Sequence, residues 1–282
     1  MKSKANKFKI LALALCFIAA THANASTQHF QKVMTIIFEN TDYHPTMKQE
    51  FFSSFAKQGA LLTNFYAEFH PSQGNYISMI TGNNFGVYGD GTVTVDELSI
   101  VDSLEKKNLT WKVYAEGYPG GCFLGDSGKY VRKHNPFISM ANIQMNPKRC
   151  ANIVNADQLA IDIAQNEVPN YSFYVPDLNN DGHDTGVGFA NDWFRNNFEK
   201  YLIEPKLMNG MALVATFDES SFFGGNHIYT AIVGPGIKRG SESNTRYDHY
   251  SLIKMIENNF SLDSLGQSDV NAPDITGIWA NP

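Results

Sequence analysis

Three short clusters of acidic and amide residues, together with one serine, carry the side chains that could do chemistry. Glu39-Asn40 follows the apolar run VMTIIF (33–38), and Asp218-Glu219 follows MALVATF (211–217). Asp177 follows YSFYVP (171–176) and opens DLNNDGHDTG (177–186). That last stretch starts like a helix-flanked calcium loop, D-x-N-x-D-G. Such a loop closes with a bidentate glutamate at its twelfth position, where this chain has Gly188. The segment before it also reads as a strand, so a calcium loop is set aside. His183-Asp184 instead adds an imidazole and another carboxylate, as an active-site loop would. The serine lies in HPSQGNYISMITG (70–82), where Ser72 precedes an apolar helical pattern. A hydroxyl there stands at a helix N-terminus, whose free N–H groups and dipole favour an oxyanion or a phosphate. Its alternative role is that of a simple helix cap. GDSG (125–128) resembles a protease nucleophile segment but lacks the all-β context and upstream histidine that chemistry requires, and no G-x-S-x-G elbow is present. GDSG is expected to form a turn.

These residues need elements that bring them together. Besides the three runs above, WKVYAE (111–116) and IYTAIVG (228–234) read as buried strands. Between the strands lie PTMKQEFFSSFAKQG (45–59), IVDSLEKKN (100–108), ADQLAIDIAQNE (156–167), NDWFRNNFEKYLIE (191–204) and HYSLIKMIENNF (249–260), all with apolar residues at helical spacing. Near-continuous apolar strands alternating with helices predict an α/β sandwich with a mostly parallel sheet covered on both faces. In such sheets ligands bind beyond the carboxyl ends of the strands. Three strands would then deliver oxygen-bearing side chains to one edge.

The N-terminus reads as an export signal, residues 1–25: four lysines, a short apolar run and the cleavage site Ala23-Asn24-Ala25. The apolar run falls short of the roughly 20 residues of a membrane span, and no stable membrane anchor is expected. Residues 26–282 are expected to form a single catalytic domain. Two cysteines follow the signal, Cys122 and Cys150. In an oxidising compartment they are expected to form a disulfide contributing roughly 3–4 kcal/mol. A net charge of −6 argues against nucleic acid as a partner.

FENTDY (38–43), HPSQGNY (70–76), YAEGYP (114–119) and KHNPF (133–137) occur in that order, followed by DLNNDGHD, FDES, GGNHI and YDHYSLIKMIE. Together they resemble the phosphoesterase family of secreted acid phosphatases and bacterial phospholipases C, within the alkaline-phosphatase-like superfamily. The resemblance extends from Val33 to about Gly266. It implies a three-layer sandwich, a mostly parallel sheet flanked by helices.

The resemblance also implies roles. Ser72 stands ten residues before Gly82 of MITG, the place of the superfamily nucleophile, and would form a phosphoserine intermediate. Glu39 and Asn40, with Asp218 and Glu219, match the family's metal-binding pairs, and Ser72 would complete the set. The cofactor would be a divalent ion: zinc, calcium, magnesium or manganese. His134 and His183 match family histidines near the bound phosphate, with catalytic and substrate-binding roles. His227 is placed either as a phosphate contact or as a metal ligand. Asp177 and Asp184 are placed as second-site ligands or as groups that orient the histidines. The chain departs from the D-x-x-x-H spacing of two-metal members, since Asp181 stands four residues after Asp177. Gly74 takes a place where the family often has proline, and is expected to loosen the turn at Ser72.

The expectation is an exported, metal-dependent phosphoric-ester hydrolase, first an acid phosphatase acting on a small phosphate monoester. The alternative is a phospholipase C recognising a phospholipid head group. The lack of the long C-terminal extension of larger family phospholipases favours the first. A non-catalytic secreted binding protein of the same fold is the third reading, and it would be expected to have lost the nucleophile or the ligands. The oligomeric state is left open.

Overall fold

The structure, a computed structural model, describes residues 28–280; the expected signal segment lies outside them. Its main sheet has eight strands: β1 (Lys32–Phe38), β2 (Ala60–Leu62), β4 (Trp111–Ala115), β5 (Ile153–Asn155), β6 (Tyr171–Val175), β7 (Met211–Phe217), β9 (Thr230–Val233) and β10 (Ser241–Ser243). Their order is β10-β2-β9-β7-β1-β6-β4-β5. The five strands from β7 to β5 run parallel, and β9 enters antiparallel between β7 and β2. A small second sheet joins β3 (Phe65–Tyr66), β8 (His227–Ile228) and β11 (Tyr247–Asp248).

Ten α-helices are described: α1 (Tyr43–Met47), α2 (Glu50–Gln58), α3 (Ser72–Thr81), α4 (Ile100–Lys106), α5 (Ala141–Gln144), α6 (Pro147–Cys150), α7 (Gln158–Gln165), α8 (Val187–Phe198), α9 (Pro205–Met208) and α10 (His249–Phe260). Register assigns them to faces. Phe38 of β1 lies opposite Phe217 of β7, and both rings pack on Phe52 of α2; Phe38 also meets Phe194 of α8. Thr35 lies opposite Phe173 of β6, whose ring meets Tyr76 of α3. Thr35 and Phe38 are an odd number of residues apart, so α2 with α8 and α3 cover opposite faces. This is the three-layer α/β sandwich that the alternation predicts.

The central strands match their predicted runs because they are apolar on both sides and buried throughout; β7 has no exposed residue. IYTAIVG does not form one strand. It breaks at Tyr229, whose hydroxyl donates to the Phe52 carbonyl at 2.8 Å, leaving β8 in one sheet and β9 in the other. The helix expected over 45–59 divides into α1 and α2. Cys122 is bonded to Cys150, with Cα atoms 5.3 Å apart, as expected. GDSG is a turn within the segment so closed, bridged from Ser127 to Tyr130.

Candidate active site

The sheet's hydrogen-bond ladder continues past the strand ends and aligns the three acidic loops. Asp218 N–H donates to the Phe38 carbonyl at 2.9 Å, and Glu39 N–H donates to the Asp181 carbonyl at 3.0 Å. Phe38 and Phe217 point to the α2 face, so alternation turns the next residues, Glu39 and Asp218, towards α3. Ser72 is the first residue of α3, and Pro71, not Ser72, takes the cap position. The capping role is therefore excluded for its hydroxyl. Ser72 Oγ lies 3.1 Å from Glu39 Oε2 and 3.4 Å from Glu219 Oε1, and all three residues are buried. Asn40 joins them: its N–H donates to Asp218 Oδ1 and its Nδ2 to Glu39 Oε2, each at 3.3 Å. Asn40 has φ 53°, a left-handed conformation that asparagine tolerates better than most residues.

Gly74 does not sit in a loose turn. It lies inside α3, and a Cβ there would come 2.8 Å from the Val87 carbonyl oxygen. The glycine lets the 83–97 segment lie directly on the helix that carries Ser72.

His134 is buried beside the same cluster, its Nε2 3.2 Å from Glu39 Oε1 and its Nδ1 3.4 Å from Asp181 Oδ2. Its ring stacks on Tyr76 of α3 at 4.9 Å. Asp181, which the sequence does not mark as a ligand, is fully buried. His183 stands at the rim, 6.0 Å from the His134 ring, with Nδ1 2.8 Å from Asp184 Oδ1. The other oxygen of Asp184 accepts from Lys129 at 2.8 Å, so Asp184 orients His183 in this structure and does not face the cluster. Asp177 Oδ1 accepts the N–H groups of Asn179 and Asn180 and closes its own turn. Glu116 holds that loop in place, accepting from Asp177 N–H at 2.9 Å and from Asn180 Nδ2 at 2.6 Å.

His227 is placed elsewhere. Its Nε2 lies 2.9 Å from the Thr63 carbonyl, and its ring is stacked between Tyr43 and Tyr66 at 4.6 and 4.9 Å. Neither a metal ligand nor a phosphate contact follows from those neighbours. His70, which the motifs do not single out, does reach the site: its Nδ1 lies 2.9 Å from Glu219 Oε2. The signal available for it was its place two residues before Ser72.

Four carboxylates crowd this pocket. Burial, then the charges of Asp218 and Asp181, hold Glu39 well above the usual carboxylate range. Burial pushes Asp181 up to about 9 and Asp218 up to about 6. Burial and the Asp218 charge push Glu219 up to about 8. Burial, then Lys133 and His183, push His134 down. Four buried carboxylate oxygens make no well-directed hydrogen bond: Glu39 Oε1, Asp181 Oδ2 and Glu219 Oε2, which have only a histidine ring nitrogen nearby, and Asp218 Oδ2. Buried polar atoms are rarely left so, and several unmet oxygens in one place call for a cation. The donor set suits a divalent ion: oxygens for a hard ion, with one imidazole that zinc or manganese would accept. Glu39, His134 and Asp181 each offer a ligand atom, all within 4.8 Å of one another, and could hold such an ion.

The model of the Phosphoesterase family matches residues 20–263. The chain is 34% identical over 266 residues to a probable acid phosphatase of Kluyveromyces lactis, covering 89% of this chain and 63% of that one. It is 34% identical to an acid phosphatase of Aspergillus niger, with the same coverage. It thus spans less than two thirds of the length of these relatives. A phosphatidylinositol-3-phosphatase of Mycobacterium tuberculosis is 28% identical over 89% of this chain and 84% of its own. Among solved structures, a Vibrio parahaemolyticus protein of the alkaline phosphatase superfamily superposes with a TM-score of 0.62 at 11% identity. That match covers 87% of this chain and 71% of the other, and carries the fold.

Proposed function

The chain belongs to the phosphoesterase family, and from that premise we propose that it is an exported, metal-dependent acid phosphatase that hydrolyses phosphate monoesters through a phosphoserine on Ser72. The observation that carries this reading is one contact set: Ser72 Oγ lies within 3.4 Å of Glu39 and Glu219, whose remaining oxygens face the rings of His134 and His70 without a well-directed hydrogen bond. The acid phosphatases among its relatives supply the reaction class. Export rests on the N-terminal sequence pattern; no described helix is long and apolar enough to cross a membrane.

Glu39, Asn40, Ser72, Asp218 and Glu219 would hold the divalent ion, with His134 and Asp181 on the far side of Glu39. When bound, such an ion lowers the pKa of a coordinated hydroxyl and offsets charge on phosphoryl oxygens. The chain's own residues do the rest. Ser72 Oγ, fixed at the start of α3, gives up its proton to solvent and adds to phosphorus as the bond to the leaving oxygen breaks. His183, its Nδ1 tied to Asp184, has Nε2 free to give that oxygen a proton. Water then attacks the phosphoserine and passes a proton to His183, and Ser72 Oγ leaves phosphorus and takes back from solvent the proton it gave up. One water is consumed, and one alcohol and one phosphate leave. Asp184 acts only through His183, holding the ring by its Nδ1.

A second reading, cleavage of a phospholipid-type ester, draws on one feature. Phe222 and Phe223 are strongly exposed, and the Phe222 ring is 5.9 Å from His70, which touches Glu219. Hydrolysis of p-nitrophenyl phosphate, p-nitrophenyl phosphorylcholine and phosphatidylcholine, with and without chelator, separates the two. The monoester is expected to be the preferred substrate, with activity removed by chelation and reduced at least about 10³-fold by Ser72→Ala. Full activity in both tests would sink the proposal.

A further inference from the structure

Two segments that carry the site meet at one buried side chain outside it. His249 opens α10 and is fully buried. Its N–H donates to Glu68 Oε1 at 2.9 Å, and its Nδ1 lies 2.7 Å from Glu68 Oε2. Its Nε2 lies 3.0 Å from the Phe217 carbonyl oxygen. Capping α10 does not require any of this, because Asp248 and Ser251 already form a capping box.

The contacts fix the protons. A carbonyl oxygen only accepts, so Nε2 carries a hydrogen. Glu68 Oε1 accepts the His249 N–H and Oε2 shares a proton with Nδ1, so the carboxyl is held at both oxygens by one residue.

What the pair joins matters more than the pair itself. Phe217 directly precedes Asp218 and Glu219. Glu68 lies four residues before Ser72 in the segment that leads into α3. That segment is locked to the helix by Asn75, whose Oδ1 accepts from the N–H groups of Glu68 and Phe69 at 3.2 and 2.9 Å. Asn75 Nδ2 returns a bond to the Phe69 carbonyl at 2.9 Å. A shift of Glu68 is thereby passed to α3, and a shift of the Phe217 carbonyl to the carboxylates that follow it.

Resting on the site as read above, we infer that His249 and Glu68 are positioning residues that set the spacing of Ser72 from Asp218 and Glu219. Neither touches the reacting atoms. They clamp the main chain ahead of the nucleophile to the main chain ahead of two carboxylates.

The test is calorimetric titration of metal-free full chain with Mn²⁺, beside its thermal unfolding and the kinetics of p-nitrophenyl phosphate hydrolysis. In His249→Gln the Kd for Mn²⁺ is expected to rise about 10–100-fold, with kcat falling more than KM changes. Glu68→Gln, which keeps an acceptor for the His249 N–H, is expected to shift Kd in the same direction by less. The double variant is expected to be no worse than His249→Gln, since one network is lost once. If His249→Gln does not fold, Glu68→Gln alone decides. Lower thermal stability with unchanged Mn²⁺ affinity and kcat in the folded variants would make the pair merely structural and overturn the inference, while leaving the hydrolase reading intact. A wild-type chain that neither binds Mn²⁺ nor hydrolyses the ester would overturn both.

Discussion

Asp162, near the edge of the main sheet, and Asp218, at its centre, are buried to the same degree, yet their surroundings differ in kind. Asp162 of α7 accepts from Lys112 Nζ at 2.5 Å, Tyr114 OH at 2.6 Å and Gln158 Nε2 at 2.8 Å. Burial raises its pKa, but these donors outweigh burial and hold it below the usual value. Asp218 shares its pocket with three further carboxylates and leaves Oδ2 without a donor, and burial pushes it up to about 6 against the hydrogen bonds it does accept. Burial alone therefore does not mark function. A buried acid with its valences met is architecture; one with valences left open is waiting for something the chain does not supply.

Asp218→Asn should separate the two most sharply. Activity is expected to fall about 10²–10³-fold, an effect comparable to losing a group that holds a catalytic ion. The metal-free fold should become more stable at pH 8, because one of several mutually repelling charges is gone. The sign follows from linkage: an acid whose folded pKa is raised favours folding below its unfolded value, and that contribution is lost as pH rises through the folded one. Chemical unfolding of metal-free protein at pH 5 and pH 8 reads this directly. A destabilised, fully active Asp218→Asn would erase the contrast.

Asp162→Asn should do the reverse. It leaves Lys112, itself largely buried, without its counter-charge, and is expected to cost about 2–3 kcal/mol of stability with kcat unchanged. Here the folded pKa is depressed, so the stabilisation is present above the unfolded carboxylate value and fades as pH falls through the folded one. The gap between wild type and variant in unfolding free energy should therefore close towards pH 3. A gap independent of pH would mean that packing, not charge, is what Asp162 contributes.

The same contrast explains what could be read in the sequence. The central strands were legible because strands buried on both faces are written as unbroken apolar runs, as in MALVATF. Glu39, Asn40, Asp218 and Glu219 were legible because each pair follows such a run directly, and strand alternation then fixes its face. Asp181 and His70 were not. Asp181 lies several residues into a loop, and only the Asp177 turn, clamped by Glu116, brings it back beneath His134. His227 misled for the opposite reason: proximity in sequence to Asp218 does not survive the turn at Ser220–Asn226, which carries it into the second sheet. The short strands β2, β3, β10 and β11 have too few residues for any period to show, and their pairing is set by tertiary contacts.

Glu257 offers the smallest effect and tests the rule between its extremes. It is buried in α10 and accepts from Leu265 N–H at 3.0 Å, so one oxygen is satisfied. Burial first, and then the charge of nearby Asp269, push it up to about 7, with Lys254 opposing. Asp269 in turn accepts from Gln267 N–H and from Ser264 Oγ, so no open set of ligands forms here. If unmet valence is what distinguishes a site, this pair should behave as architecture that is slightly strained by charge. Glu257→Gln keeps an oxygen for Leu265 and removes the charge. Because the folded pKa is raised, wild-type stability is complete below about pH 4 and declines as pH passes 7. The variant should match wild type at pH 5 and exceed it by about 1 kcal/mol at pH 8, a modest figure because the Leu265 N–H and Lys254 offset part of the cost of the charge. Urea unfolding at the two pH values measures the difference, and Mn²⁺ should leave it unchanged. A stability gain on adding Mn²⁺ that Glu257→Gln abolishes would make this second acid pair a metal site too, and the line drawn between Asp162 and Asp218 would no longer hold.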